Sequence, residues 1–193
     1  MFLKRNDKYN ANYMMKKKIL IWVVVLSSIG WKTASACYFQ LKNEHTFSGA
    51  VKADAEKMGQ AFVKGDYETY VKYTYPALLK IMGGSINMVT VLINTSNSLK
   101  AKGMSFNRIT FDNPSAIVKS SNELQCIIVQ HTDIKMAKGG VVTTSALIAI
   151  SQDNGAHWTF MDTSNRSIET LKRVFPNLSS SLKLPAPKAA INY

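Results

Sequence analysis

The segment over residues 141–162 constrains the fold more than any other part of the chain, because two apolar runs flank a short polar cluster there. The first run is rich in β-branched and aliphatic residues, which suit the pleated, largely buried surface of a strand. The cluster at 151–155 supplies Asp and Asn, which hydrogen-bond to nearby backbone, and a glycine that accepts a positive φ. The segment therefore predicts a β-hairpin. Because side chains alternate along a strand, Trp158, Phe160 and Asp162 should share one face of its second arm.

A processing signal occupies residues 1–36. It consists of three consecutive lysines, an apolar run over 19–29 and an A-x-A sequence that ends at Ala36, which is the order of a secretory signal peptide. The apolar run is shorter than the about 20 residues that a membrane span needs, so we expect cleavage and export rather than an uncleaved anchor. Residues before Met15 fit no part of this signal, and we expect translation to begin at Met14 or Met15.

Half of the net charge of +12 comes from this signal. After cleavage, the mature chain of 157 residues keeps 17 basic and 11 acidic residues, a net charge of +6. Apart from Lys172-Arg173 its basic residues are scattered, which is typical of a solvated surface, and we expect no nucleic-acid partner. Attachment to an anionic surface remains an alternative, and such binding would weaken steeply with salt.

Cys37 and Cys126 are the two cysteines. Export makes a disulfide between them chemically possible. Cys37 would also be the first mature residue, where a bacterial lipoprotein carries its lipid, but such signals usually have Leu in the place of Ala34. We therefore expect a periplasmic or secreted protein, with a lipid-anchored envelope protein as the second choice and membrane contact only through lipid or an uncleaved signal. Cys126 lies in a predicted strand and is expected to be a buried free thiol.

Helical periodicity fills the first part of the mature chain, after an extended lead-in over 37–50. Apolar residues spaced by three and four predict one helix over 51–64 and a second that begins after an Asp66 N-cap. A third helical stretch meets Gly83-Gly84, which marks a kink or a break, and resumes to about residue 100. In the resumed part the predicted inward-facing residues are Ile86, Val89, Leu92, Ile93, Ser96 and Leu99.

Three extended segments come after these helices and before the hairpin. They cover residues 104–112, 116–118 and 124–131. The last of them carries apolar residues on both faces around Ile128, which indicates that both faces are covered. Helices would cover one face, and either a second subunit or the chain's own tail would cover the other. Cover by a second subunit would make the protein a homodimer through its sheet.

A short helix over 167–175 and a Pro- and Ser-rich tail over 176–193, expected to be loose, end the chain. The order of the elements predicts a single α+β domain over 51–175. In that domain about three amino-terminal helices pack on an antiparallel sheet of about four strands.

Three local patterns point to a known family: a helix-turn-helix over 62–68, the Tyr75-Pro76 break, and the hairpin arm over 158–162. In these patterns the chain resembles the nuclear transport factor two-like superfamily, which includes ketosteroid isomerases and polyketide cyclases. The resemblance implies a cone-shaped fold whose helices and curved sheet enclose a pocket. It supports the fold more than any one activity.

In the isomerase branch of that superfamily, a carboxylate acts as a base and a Tyr or a protonated acid stabilises the enolate oxygen. For an isomerase- or cyclase-type enzyme, Asp133 or Asp112 would supply the carboxylate here, and Tyr70 or Tyr73 the hydroxyl. For a non-catalytic pocket, the candidate ligand-binding residues are Tyr70, Tyr73 and His131. We expect the second case: an exported binding or assembly module that holds a small apolar ligand in the pocket, or a protein partner on the sheet face.

The sequence predicts neither a cofactor nor a metal. His45, His131 and His157 lack the spacing of helical metal ligands, and the two cysteines are too far apart for a zinc pattern. The chain also lacks the G-x-S-x-G signature of nucleophilic hydrolases.

The sequence over 151–158 resembles the Asp-box of sialidase propellers, S-x-D-x-G-x-x-W, which is a structural turn. A single copy cannot build a propeller, since each blade needs its own. We therefore expect Asp153, Gly155 and Trp158 to have a structural role.

We predict that the exported protein begins at Cys37, because the A-x-A site ends at Ala36. Mass spectrometry of the mature amino-terminal peptide should find Cys37 as its first residue, and the peptide mass will distinguish a free thiol, a lipidated cysteine and a disulfide. A mature protein that retains residues 19–29 would contradict this prediction.

Overall fold

The computed structural model describes residues 47–193, so the predicted signal segment and Cys37 lie outside the described residues. Within that range the structure has five helices and six strands. In chain order they are α1 over 47–64, α2 Tyr67–Lys72, α3 Pro76–Ile81, α4 Ser85–Ala101, β1 Ser105–Phe111, β2 Val118–Ser120, β3 Glu123–Lys135, β4 Gly140–Ser151, β5 Thr159–Asp162, α5 Ile168–Lys172 and β6 Ile191–Asn192. None of these helices is long and apolar enough to cross a bilayer.

The strands form one open antiparallel sheet in the order β1-β3-β4-β5. The two long central strands each have two partners on their outer edge. β3 pairs with β1 along one part and with β2 along another, and β4 pairs likewise with β5 and β6. The predicted α+β class is confirmed. The sheet has six strands instead of about four, because strands of 13 and 12 residues leave room for two short partners each.

One face of the sheet packs against α1. The helix contributes Val51, Ala55 and Met58, whose spacing of four and three residues places them on one side of a helix. We call this cluster the helix-side core. Its buried members are Val51, Ala55, Met58, Phe111, Cys126, Ile128, Leu147, Ala149, Trp158 and Phe160.

A hydrogen bond joins α1 to the turn between β4 and β5. Oδ2 of the buried Asp54 accepts the backbone N–H of Trp158 at 3.1 Å, while its Oδ1 accepts Nζ of Lys57 at 3.0 Å. The turn also meets the start of α1, since a Cβ at Gly155 would lie 2.4 Å from the Phe47 ring. Gly155 has a φ of +91°, so both the contact and the backbone require glycine. The first turn of α1 is thereby held against the hairpin. Residues 47–50, which were predicted to lie in the extended lead-in, are helical.

The other sheet face is covered by the chain's carboxyl-terminal part. We call this second cluster the C-terminal core. Its buried members are Tyr75, Ile127, Ile148, Ile150, Met161, Ile168, Leu171, Phe175, Leu178 and Leu182. Ile127 and Ile128, neighbours on β3, thus enter opposite cores of the same chain. Of the two predicted covers for this doubly apolar strand, the structure places the tail there.

The expectation of a loose tail over 176–193 is wrong for residues 177–184, whereas residues 185–193 are exposed. Leu178 is 2% exposed and Leu182 is 6% exposed. Gln125, which is fully buried, donates from Nε2 to the carbonyl of Asn177 at 3.1 Å and accepts the N–H of Ser179 at 2.9 Å. Apolar residues spaced among the serines and prolines can therefore cover the sheet without regular secondary structure. β6 adds a two-residue pairing to β4.

The predicted inward stripe of α4 is only partly buried. Ser96 is its one buried residue, whereas Ile86 is 85% and Ile93 is 43% exposed. α4 packs mainly on α2, and a helix of six residues cannot cover one of 17. Gly83-Gly84 forms a break rather than a kink, because both residues have a positive φ and α4 begins after them.

We predict that Leu178→Ala lowers the free energy of unfolding by about 2 to 5 kcal/mol, since it leaves a cavity in the C-terminal core. Val174→Ala is the matched control, because Val174 is 54% exposed and its truncation should change stability by less than about 0.5 kcal/mol. Urea unfolding of both variants measures the difference. Equal, small losses would mean that the carboxyl-terminal segment does not cover the sheet.

Candidate functional site

A cavity of about 310 Å³ lies between α1, α2 and the sheet face that carries the helix-side core. Six elements contribute to it: α1, α2, β1, β3, β4 and β5. The lining residues are Gly59, Phe62, Tyr70, Phe106, Ile109, Gln130, Thr132, Ile134, Thr143, Ser145 and Asp162. Convergence of polar groups from several elements on one concave space is typical of a ligand site.

Three aromatic rings form one wall of the cavity. The Phe62 ring on α1 lies 4.7 Å from the Phe106 ring on β1, at 76°, and 5.2 Å from the Tyr70 ring on α2, at 58°. Such edge-to-face and tilted arrangements are the preferred geometries of aromatic pairs. Phe62 lies four residues after the buried Met58, so the helix periodicity that fills the core also brings this ring to the cavity.

The floor of the cavity is polar because the inward face of β3 and β4 changes character along its length. In the helix-side core the paired residues are apolar, as in Ile128 opposite Leu147. The next inward pairs are Gln130 with Ser145 and Thr132 with Thr143. Gln130 Nε2 donates to Thr132 Oγ1 at 3.0 Å. A continuous sheet face therefore passes from packed core to a hydroxyl- and amide-lined floor.

Tyr70 and Asp162 complete the polar part of the cavity. Burial, together with a smaller contribution from the negative charge of Asp162, raises the pKa of Tyr70 to about 12. The phenol is therefore neutral at physiological pH and can donate a hydrogen bond. Asp162 ends β5 and stays exposed, so its carboxylate lies where the cavity meets solvent. Its Oδ1 accepts the backbone N–H of Ser164.

The carboxylates and the histidine predicted from the sequence lie on the opposite sheet face. His131 Nε2 lies 3.1 Å from Asp112 Oδ1, and its Nδ1 lies 3.2 Å from Thr144 Oγ1. Asp133 accepts the Tyr193 hydroxyl at 2.6 Å and Asn107 Nδ2 at 2.7 Å. These hydrogen bonds lower the pKa of Asp133. None of these three residues lines the cavity.

Of the predicted tyrosines, Tyr70 lines the cavity, whereas Tyr73 packs against the helix-side core. The sequence-based list omitted Asp162, the one carboxylate in the lining. A signal for it was available, because the strand alternation that places Trp158 and Phe160 inward also places Asp162 inward. The hydroxyl residues of the floor gave no comparable signal.

The Asp-box residues hydrogen-bond within their own turn. Asp153 accepts the backbone N–H of His157 at 3.0 Å, the ring Nδ1 of His157 at 2.6 Å and the Ser151 hydroxyl at 2.8 Å. These hydrogen bonds lower the pKa of Asp153 to about 2, and the bond from the backbone N–H of His157 has the largest effect. Gly155 N–H donates to Ser151 Oγ at 2.8 Å, and Trp158 is 1% exposed. Each of these bonds stabilises the hairpin turn, and none reaches the cavity.

Cys126 is fully buried and has no disulfide partner among residues 47–193, and burial raises the pKa of its thiol to about 12. A thiol with that pKa is protonated and unreactive at physiological pH. Its predicted disulfide partner, Cys37, lies outside the described residues. Over 47–193 the structure has no group of three His, Cys, Asp or Glu side chains that could hold a metal ion.

No protein-family model matches the chain, and no curated protein matches it. The geometry of the cavity is therefore the basis on which a function can be assigned.

The raised pKa of Tyr70 predicts a pH dependence of stability. The folded state holds the phenol proton more tightly than the unfolded chain, whose Tyr pKa is about 10. This contribution is complete below pH 10 and is lost as the pH rises towards 12. The free energy of unfolding should therefore fall by about 2 kcal/mol more in the wild type than in Tyr70→Phe over this range. Urea unfolding at a series of pH values measures it, and parallel losses in the two proteins would contradict a buried phenol.

Proposed function

We propose that this protein is an exported, non-catalytic binding module that holds a small, mainly apolar molecule in the cavity between α1, α2 and the sheet. The observation that carries the proposal is the cavity's lining, in which an aromatic wall faces a floor of hydroxyl and amide groups. Mixed linings of this kind bind the apolar body of a ligand by contact area and fix its orientation with a few hydrogen bonds.

The proposal includes a cone-shaped fold of the nuclear transport factor two-like type. Three features of the described residues support it. The antiparallel sheet runs in the order β1-β3-β4-β5, helices α1 and α2 lie on one of its faces, and the space between them is packed at one end and hollow at the other. The predicted helix-turn-helix also has its expected local geometry, with Asp66 accepting the N–H of Thr69 as the N-cap of α2.

The size of the cavity limits the ligand. Ligand pockets in proteins generally span about 300 to 1,000 Å³, and a cavity of about 310 Å³ is at the lower end of that range. It suits a molecule of up to three fused rings or a short aliphatic chain. Larger ligands would have to extend past Asp162 into solvent.

An isomerase- or cyclase-type enzyme is the second candidate function, because Tyr70 and Asp162 line the same cavity. In this version Asp162 replaces Asp133 and Asp112 as the base, and Tyr70 donates to the enolate oxygen. The exposure of Asp162 favours binding over catalysis, since the reaction gains from a carboxyl group that is kept in apolar surroundings. Incorporation of solvent deuterium next to the carbonyl of 2-tetralone, lost in Asp162→Asn, would establish the enzyme.

A protein partner or a second copy on the other sheet face is a weaker proposal. The chain's own C-terminal core covers that face around Ile127 and Ile148. The part near His131 and Asp133 lies beyond this cover and is half-exposed. Light scattering tests the homodimer, and a strictly monomeric mass would exclude it.

We predict that Thr143→Phe abolishes binding in the cavity, because a ring at this floor position fills the space. The probe is 1-aminoanthracene, a neutral aromatic amine at pH 7 whose fluorescence rises in apolar surroundings. The variant should bind it at least tenfold more weakly than the wild type.

Thr110→Phe is the matched control. Thr110 pairs with His131 on β3, so it lies on the opposite sheet face, and it is exposed. This control should bind the probe as the wild type does, and circular dichroism verifies that both variants are folded. A wild type that leaves the probe fluorescence unchanged, or a folded Thr143→Phe that binds normally, would reject the cavity as a binding site.

A further inference from the structure

The cavity lining carries a negative charge, whereas the whole sequence has a net positive charge. The whole sequence has twice as many basic as acidic residues, 24 against 12. Yet among the described residues no Lys, Arg or His lines this cavity, and its one charged group is the carboxylate of Asp162. The other ionisable group, the Tyr70 phenol, is neutral at physiological pH. The lining therefore carries a single negative charge.

From this lining we infer that the ligand is a small organic cation, an amine or quaternary ammonium group carried on an aromatic or aliphatic body. The inference rests on the proposed binding function and specifies its ligand class. The body would contact Phe62, Phe106 and Ile134, and the cationic group would lie at the end of the cavity near Asp162.

The aromatic wall supports a cation independently of the carboxylate. The faces of aromatic rings attract cations held within about 6 Å of the ring centre. The rings of Phe62 and Tyr70 lie 5.2 Å apart and meet at 58°, so they form a corner rather than a flat stack. Tyr70 lies at this corner, and its phenol also interacts electrostatically with Asp162. A cation between the two would interact with a ring and with a carboxylate at the same time.

Asp162 can bind a cation and still keep its hydrogen bond to the backbone of Ser164. Its Oδ1 accepts the N–H of Ser164 in the turn after β5, and over residues 47–193 the structure records no hydrogen bond to Oδ2. The floor hydroxyls of Thr132, Thr143 and Ser145 supply further acceptor oxygens for an ammonium group. An anionic ligand would find no cation to pair with, and the same carboxylate would repel it.

A matched series of ligands tests the inference. The compounds are 3-phenylpropylamine, 3-phenylpropanol and 3-phenylpropionate, which share one body and differ in charge at pH 7. Each is titrated against 1-aminoanthracene bound to the wild-type protein. The amine should displace the probe at a concentration about five- to tenfold lower than the alcohol, as expected for one partly exposed ion pair with an added cation–π contact. The carboxylate should be the weakest competitor.

Two variants identify the group responsible. Asp162→Asn keeps an acceptor for Ser164 but removes the charge, and it should reduce the preference for amine over alcohol to nearly one. Asp112→Asn makes the same change in net charge on the opposite sheet face, and it should leave the preference unchanged. This control separates a local effect from the field of the whole protein.

The outcomes distinguish the inference from the function on which it rests. If amine and alcohol compete equally, or if Asp162→Asn keeps the preference for the amine, the cationic ligand is rejected while the cavity remains a binding site. If neither the probe nor any member of the series binds the folded wild type, the binding function and the ligand class are rejected together.

Discussion

The hydrogen bond between Asp54 and the backbone of Trp158 is the constraint on which the rest of the structure depends. It connects the long amino-terminal helix to the hairpin across 104 residues of sequence, and it is buried. Both oxygens of Asp54 are occupied, one by Trp158 N–H and the other by Lys57, so the buried carboxylate is compensated. Over residues 47–193 the indole Nε1 of Trp158 has no hydrogen-bond partner, and the ring is held by packing. Because this contact fixes how α1 lies on the sheet, it also sets the position of Phe62 and the width of the cavity.

The two faces of the sheet perform different tasks. The face away from α1 is covered around Ile127 and Ile148 by the chain's own carboxyl-terminal part. A buried polar network lies beside this cover, in which Glu123 accepts hydrogen bonds from Tyr75 at 3.0 Å and from Gln125 and Gln152 at 2.8 Å. A buried carboxylate with three donors is satisfied, and the network joins α3, β3 and the turn after β4. The inner face is packed only along part of its length. Beyond Ile128 and Leu147 its residues become polar, and there the space between helix and sheet is left open.

The candidate site shows where strand alternation predicts well and where it does not. Alternation placed His131 on a common face with Ile127 and Val129, and the structure agrees with that grouping. However, only the tertiary structure decides which face of the sheet packs against α1, and that face carries Ile128. Asp112, His131 and Asp133 therefore lie on the sheet face away from the cavity. There Asp112 and His131 are hydrogen-bonded to each other, and Asp133 accepts the Tyr193 hydroxyl. Tyr70 was predicted because α2 is rich in tyrosine, and it lines the cavity.

The sequence by itself determined the elements with strong periodicity or strong turn chemistry: most of helix α1, the Asp66 cap, an interruption of the helix at Gly83-Gly84, and the hairpin built on Asp153 and Gly155. Each of these depends on interactions within about five residues, or on one repeating apolar face, and such information is local. Only the tertiary structure decided that Leu178 and Leu182 cover the sheet, that α4 stays half-exposed, and that Asp162 rather than Asp133 meets Tyr70. Those outcomes depend on which parts of the chain pack against a given surface in preference to others. The residue spacing within a single segment does not specify that choice.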